Sequence, residues 1–479
     1  MDRDFKLKTI SGIAYNSAGK IIALLLRIVA SVVLARGLTA SDYGVVGFAM
    51  VIIGFLSRFN DLGIGSAVIQ QLELDEKGLY TAFSLKLILG ISIAALCIIL
   101  APYSRHFFNH PDIGSVIQVL ATIFVISSFS FLPEMLLTRQ LEFKKLGAAN
   151  VISVMARSIV AIVLVFAGFK YWSIVLAEIG GTLAQVIILN CFCHKRVRFR
   201  FDRARAHEFL SFGGKLFGSG LIVFLMFNAD NFVIGAAAGA AALGYYALAF
   251  NWGSFCCGVL SEGVHSVLLP AFSRTQKDKA FLKNSYLKVL ECVSMFAVLA
   301  NVILLVNAGE LLVYVFGRGT DKWLPALSAL QILSVYGIVR MILEPVGNIA
   351  LALGKPGILF KANALAGVLE IGCLYFALKL WGINGVAILV TATYAIQYFI
   401  YLPFLKNELG ITLSEIFAVT KPSLLSGLAT AASALALGAV TGFSITSMVL
   451  KVLYCLAGYL ALYGVLTGWK SYKEVRAVL

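Results

Sequence analysis

The chain has 479 residues, 60% hydrophobic and only 13% charged, with a net charge of +15. Soluble domains run near 45–50% apolar and about 25% charged, so an ordinary soluble domain is excluded. The apolar residues fall in blocks of roughly 20, the length a helix needs to cross about 30 Å of hydrocarbon. Hydrocarbon offers no water to backbone N–H and C=O groups, so such blocks must be helices.

In chain order the predicted spans are 10–34, 43–69, 79–101, 115–137, 146–168, 172–192 and 210–237, then 243–269, 285–307, 323–350, 357–378, 382–404, 421–441 and 447–468. The chain therefore reads as an all-α polytopic membrane protein of about fourteen transmembrane helices. Block 10–34 is too long for a signal-peptide core and carries Lys20 and Arg27, so it reads as a retained first helix. The breaks carry charge or turn residues, as at Asn109-His110-Pro111-Asp112 and Gly354-Lys355-Pro356. Between 441 and 447 the break is short and uncharged, the weakest division in the series.

Segments on one side of the predicted membrane hold 23 Lys and Arg, against six on the other. Basic residues concentrate in cytoplasmic loops, so both termini are expected in the cytoplasm. The run Lys195, Arg196, Arg198, Arg200, Arg203 and Arg205 reads as an anchor beside anionic headgroups. Nucleic acid is not expected as a partner. No connecting loop exceeds about 20 residues, which leaves no extramembrane catalytic domain, and the chain is read as a non-enzyme. Six of the eight cysteines lie in apolar blocks and read as packing residues. Cys191-Phe192-Cys193-His194 lacks a second ligand pair at zinc spacing, so neither metal nor cofactor is expected.

A faint repeat divides the chain. Leu38-Thr39-Ala40-Ser41-Asp42-Tyr43-Gly44 precedes Phe48, and Ala240-Ala241-Ala242-Leu243-Gly244-Tyr245-Tyr246 precedes Phe250. Repeats suit transporters, in which two similar bundles rock about a central site. The expected organisation is a six-helix lobe at 1–192, a basic linker at 193–209, a second six-helix lobe at 210–404, and two further helices with a tail at 405–479.

Charges inside spans need water, a partner or a route to the interface. Lys86, Lys215, Lys288, Lys361 and Lys451 lie near span ends and are expected to snorkel, while Glu134, Glu262 and Glu291 are also near ends. Deeper, Lys20 and Arg27 stand seven apart on one face of the first helix, about 10 Å apart along its axis. Arg58 and Asp61 are close enough in sequence to pair, as are Arg340 and Glu344. Arg157 and Asp230 are central in their spans. Two cations on one deep face suit a phosphate or diphosphate. The plain alternative is interhelical salt bridging.

Several stretches resemble the polysaccharide transporter branch of the multidrug/oligosaccharidyl-lipid/polysaccharide exporter superfamily, particularly the Wzx-type lipopolysaccharide and colanic-acid exporters. They include Lys8-Thr9-Ile10-Ser11-Gly12, Val33-Leu34-Ala35-Arg36 with Asp42-Tyr43-Gly44, and Asp61-Leu62-Gly63-Ile64. Others are Leu141-Glu142-Phe143-Lys144-Lys145-Leu146-Gly147, Leu269-Pro270-Ala271-Phe272-Ser273 and Pro345-Val346-Gly347-Asn348. The resemblance implies two six-helix lobes, two C-terminal helices and alternating access in the bacterial inner membrane. It also implies undecaprenyl-diphosphate-linked oligosaccharide as cargo, membrane lipids as surroundings, and contact with polysaccharide polymerase and chain-length machinery. Within this frame Lys20, Arg27, Arg58, Arg157 and Arg340 are the candidate substrate-binding residues. Asp61, Asp230 and Glu344 are the candidates for ion coupling. A cation-coupled multidrug exporter of the same superfamily is the alternative, and a membrane polymerase or ligase is disfavoured by the short loops.

Overall fold

Every long element among the described residues is a helix, as the hydrocarbon argument requires. The computed structural model describes the backbone of residues 3–70, 75–106, 108, 110–193 and 198–468. Side chains are described for all of these except 3–18, 20, 70, 105–106, 212, 215–216, 219, 259–267 and 270. The side chains of Lys20, Lys215 and Glu262, and the residues Lys195 and Arg196, thus lie outside the described part.

The helices are α1 Arg3–Gly37, α2 Ala40–Asp61, α3 Ile64–Gln70, α4 Glu76–Leu100, α5 Ile113–Arg139, α6 Phe143–Phe166, α7 Trp172–Phe192 and α8 Arg203–Gly253. They continue as α9 Phe255–Thr275, α10 Lys279–Val306, the short α11 Ala308–Glu310, α12 Leu327–Ala352, α13 Pro356–Leu409, α14 Leu413–Thr441 and α15 Ile445–Thr467. Among the described residues, eleven helices are long and apolar enough to cross a membrane, and the order follows the segments expected from the sequence. The chain is a multi-pass membrane protein.

Backbone breaks explain where helices and spans differ. α2 starts on a reciprocal cap in which Thr39 and Asp42 each satisfy the other's backbone N–H. It stops where Leu62 and Gly63 take positive φ (39° and 66°). α8 bends through Gly239 (φ 83°), and α13 through Trp381 and Gly382 (φ 60° at the glycine), so each is two helices in line. Gly442 (φ 75°) and the Ser444 cap, whose Oγ accepts from Ser447 N at 3.0 Å, separate α14 from α15. The last two predicted spans are therefore distinct helices. α8 begins inside the predicted linker, because Asp202 Oδ1 accepts from Ala204 N (2.9 Å) and Arg205 N (3.1 Å).

The chain forms two compact units, Met1–Gly244 and Tyr245–Leu479. In the first, α6 packs on α1 and α7, and α5 on α4 and α7. Close packing of α6 and α7 rests on Gly181, where an added Cβ would lie 3.0 Å from Arg157 Cβ. In the second unit α12 packs on α9, α10 and α13, while α14 and α15 pack on α10. Polar pairs fasten these last two helices to α10: Ser294 with Ser423 (3.1 Å), Tyr459 OH donating to Met295 O (3.0 Å), and Tyr463 OH donating to Glu291 (3.1 Å).

A fourth fastening corrects the sequence reading of Lys451 as a snorkelling residue. Its ammonium pairs with Glu310, and both side chains are 5% exposed. Elsewhere in this unit, loops assigned to one side of the membrane do meet. Lys283 pairs with Glu415 at 2.6 Å, and Lys279 and Lys355 both reach Glu408.

Candidate functional site

The deep charges of the first unit fall into two groups. On α6 and α7, Arg157 pairs with Glu178 at 3.1 Å, while its Nε is buried without a hydrogen-bond partner. Arg27 of α1 is exposed, on a helix that packs against α6. The structure thus pairs Arg157 with Glu178 and leaves Arg27 without an ion pair among the described residues. Glu178 is not among the site residues expected from the sequence, because only the packing of α6 on α7 brings it to Arg157.

The second group surrounds the end of α2. Arg58 and Asp61 do not pair, contrary to the expectation from their spacing. The Arg58 guanidinium instead lies over the Phe224 ring at 5.4 Å, a cation–π arrangement, and Asp61 lies 3.8 Å from Lys86 Nζ. Lys86 is buried and donates to Asn60 O at 2.8 Å. It therefore caps a carbonyl released where α2 ends, a place that favours a cation, and it does not snorkel as expected. Asp230 on α8 is 2% exposed, and its Oδ1 accepts from Asn231 N (2.7 Å) and Nδ2 (3.1 Å).

In the second unit the expected Arg340–Glu344 ion pair is absent among the described residues. Arg340 Nη1 donates to Tyr336 OH at 3.1 Å, and the Tyr336 ring meets Tyr394 edge-on at 4.9 Å. Glu344 is half-buried. On the two halves of α13, Thr393 Oγ1 donates to the buried Glu370 at 3.4 Å. Tyr336 sits one helical turn before Arg340, a spacing that signals the contact in sequence. Tyr394 and Thr393 carry no such signal.

The two repeat motifs meet face to face. A Cβ on Gly44 would lie 1.7 Å from Ala240 O, and one on Gly244 would lie 1.8 Å from Ala40 O. The crossing is reciprocal: Ala40 and Gly44 on one helical face meet Ala240 and Gly244 on the other. From there α2 runs along α8. Phe48 stacks on Phe232 at 5.6 Å, Phe59 meets Phe217 at 4.8 Å, and a Cβ on Gly63 would lie 2.8 Å from Gly213 Cα. Glycines at both ends and phenylalanines between them make a continuous apolar seam, with Arg58 beside it over Phe224. Small residues allow such backbone contact without interlocking side chains.

A family model described as "Polysaccharide biosynthesis protein" matches residues 33–328. "Lipopolysaccharide biosynthesis protein WzxC" of Escherichia coli (strain K12) is 27% identical over 423 residues, covering 87% of this chain and 82% of that protein. "Teichuronic acid biosynthesis protein TuaB" of Bacillus subtilis (strain 168) is 24% identical over 420 residues, covering 87% and 86%. Among solved structures, "Lipid II flippase MurJ, inward closed conformation" superposes with a TM-score of 0.77 at 15% identity, covering 94% of this chain and 98% of that one. The last likeness is one of fold.

Proposed function

Because the chain belongs to the polysaccharide biosynthesis protein family, we propose that it is a flippase for undecaprenyl-diphosphate-linked oligosaccharide. It works in the bacterial cytoplasmic membrane by alternating access, with both termini in the cytoplasm, and serves surface polysaccharide synthesis. The names of WzxC and TuaB, proteins of lipopolysaccharide and teichuronic acid biosynthesis, support a role in surface polysaccharide synthesis. The polymerase and chain-length machinery that use the flipped unit are its proposed partners.

One observation carries the reading. Arg27 and Arg58 lie within spans expected from the sequence and are exposed, with no ion pair within 4 Å among the described residues. A bare guanidinium deep in a span costs on the order of 2.5–3.5 kcal/mol against lipid, so each must face water or an anionic ligand. A diphosphate offers paired oxygens that match the guanidinium fork. Arg157 serves as the partner of Glu178 that leaves Arg27 available, and Lys20, seven residues before Arg27 in the sequence, is the proposed second cation. Arg340, held by Tyr336, is the proposed sugar- or phosphate-facing cation of the second lobe. Asp61, Asp230 and Glu344 are the proposed coupling carboxylates. The proposed moving bodies are the lobes at 1–192 and 210–404.

Arg27→Ala and Arg58→Ala should each remove surface polysaccharide from a strain lacking its own copy, at unchanged protein level. Arg→Lys at either position should restore part of it, since charge survives but the fork does not. Undiminished polymer in both alanine variants would overturn the cargo role of these residues. A parallel drug-susceptibility panel decides the second reading: hypersensitivity to drugs with normal polymer would make the chain a multidrug exporter.

A further inference from the structure

The basic connector is held in place and presents its side chains outward. Arg198, Phe199, Arg200 and Phe201 precede α8, and all four are exposed, Phe199 at 64% and Phe201 at 48%. Exposed phenylalanines are costly in water, yet this pair is not loose. Arg200 N donates to Ser84 Oγ at 2.9 Å and Asp202 N to Thr81 Oγ1 at 3.1 Å, and both acceptors are fully buried. A few residues on, Phe209 is fully buried against Ile64, Ala82 and Leu85. The segment is strapped to α4 at one end and plugged into the core at the other.

Its depth follows from helix geometry. α4 begins at the Asp75 cap, and Thr81 and Ser84 stand about 9–14 Å further along the axis at 1.5 Å per residue. With Asp75 in water, that depth spans the headgroup layer and the edge of the hydrocarbon. The side chains of Arg198, Arg200 and Arg203 make no hydrogen bond or ion pair among the described residues, whereas Arg205 is held by Asp75 (3.6 Å) and Glu208 (3.2 Å). At the same end of the unit, α6 opens with exposed Phe143 and Lys144, a second pairing of aromatic and basic side chains. Aromatic rings with arginines at this level match a lipid interface, where the rings enter the acyl boundary and the cations meet phosphate.

We propose that residues 198–203 form a docking site for anionic glycerophospholipid headgroups of the surrounding leaflet, with Phe199 and Phe201 inserted between the lipids. The site rests on the membrane placement given above but not on the identity of the cargo. Fixing lipid here would hold the start of α8 against α4.

The test uses the full chain carrying Phe199→Trp, in nanodiscs whose lipids are brominated on their acyl chains. Either phosphatidylglycerol or phosphatidylcholine carries the bromine in a fixed mixture of the two. The emission added by the new tryptophan should be quenched, and at least about twofold more by brominated phosphatidylglycerol, since each arginine near an anionic surface is worth roughly a five-fold enrichment. Adding Arg198→Gln, Arg200→Gln and Arg203→Gln should equalise the two lipids, and lysine at the three positions should restore the preference. Unquenched emission would place the ring in water, and equal quenching before any arginine is changed would remove the anionic site. Either result overturns the proposal. No cargo enters the measurement, so a failure of the flippase reading would show only in the polymer assay.

Discussion

Gly44→Ala and Gly244→Ala should each cut surface polysaccharide by about tenfold or more, although each adds a single methyl group. The added carbon would fall 1.7 Å from Ala240 O in the first variant and 1.8 Å from Ala40 O in the second. Backbone oxygen cannot rotate aside as a side chain does, so the helices must separate. Overpacking of this kind costs typically 1–3 kcal/mol, which moves a two-state equilibrium by about 5- to 150-fold. If transport needs this close contact, the variant would spend most of its time without it. Gly47→Ala is the control, because its new carbon would find nothing nearer than Leu243 Cδ2 at 3.8 Å. It should transport normally. Thermal unfolding of the detergent-solubilised variants separates loss of closure from loss of fold, with only small shifts expected. Full polymer from Gly44→Ala at normal protein level would show that transport does not need the close crossing.

The reciprocity of that crossing was partly legible beforehand. The repeat of small residues around Gly44 and Gly244 could be read in the sequence, but not that the two copies touch. Contact between segments about 200 residues apart depends on how helices are arranged, and hydropathy carries no information on arrangement. Helix order and length were legible for the opposite reason. They follow from the need to satisfy backbone groups within each span, which is a local requirement.

Charges divide along the same line. A residue's height in the membrane can be counted from the end of its span, whereas the direction in which it points cannot. Lys86 and Lys451 stand near span ends, which suggested side chains reaching the interface, yet both turn inward, to Asn60 O and to Glu310. Arg58 and Asp61 are correctly spaced for a pair, but Lys86 takes the carboxylate and Phe224 takes the guanidinium. Sequence spacing says only which partners a helix permits. Neighbouring helices decide among them. The break at Leu62 and Gly63 was hidden for a related reason, since apolar residues on both sides keep the hydropathy high through it.

Lys451 and Glu310 give the largest expected effect on stability. Both side chains are 5% exposed and they face each other, with Lys451 Nζ also 3.5 Å from Val306 O. Lys451→Met would leave a carboxylate buried without its cation, and Glu310→Met would leave the reverse. Breaking such a pair from one side typically costs about 3–5 kcal/mol, whereas replacing both members with apolar side chains of similar volume is often neutral or better. Each single variant should therefore lower the thermal midpoint of the purified protein, and the double variant Lys451→Met/Glu310→Met should recover most of the loss. The location gives the pair its consequence. Lys451 lies on α15, and Glu310 lies just past α10, where the chain enters the π-type turn Leu311–Phe316. Ser423, Tyr459 and Tyr463 fasten the same helices to α10 through single hydrogen bonds, each typically worth about 0.5–1.5 kcal/mol. Removing one member of the ion pair is therefore expected to cost more than removing any one of these hydrogen bonds. If the double variant were no more stable than the singles, the charges would matter through something other than each other.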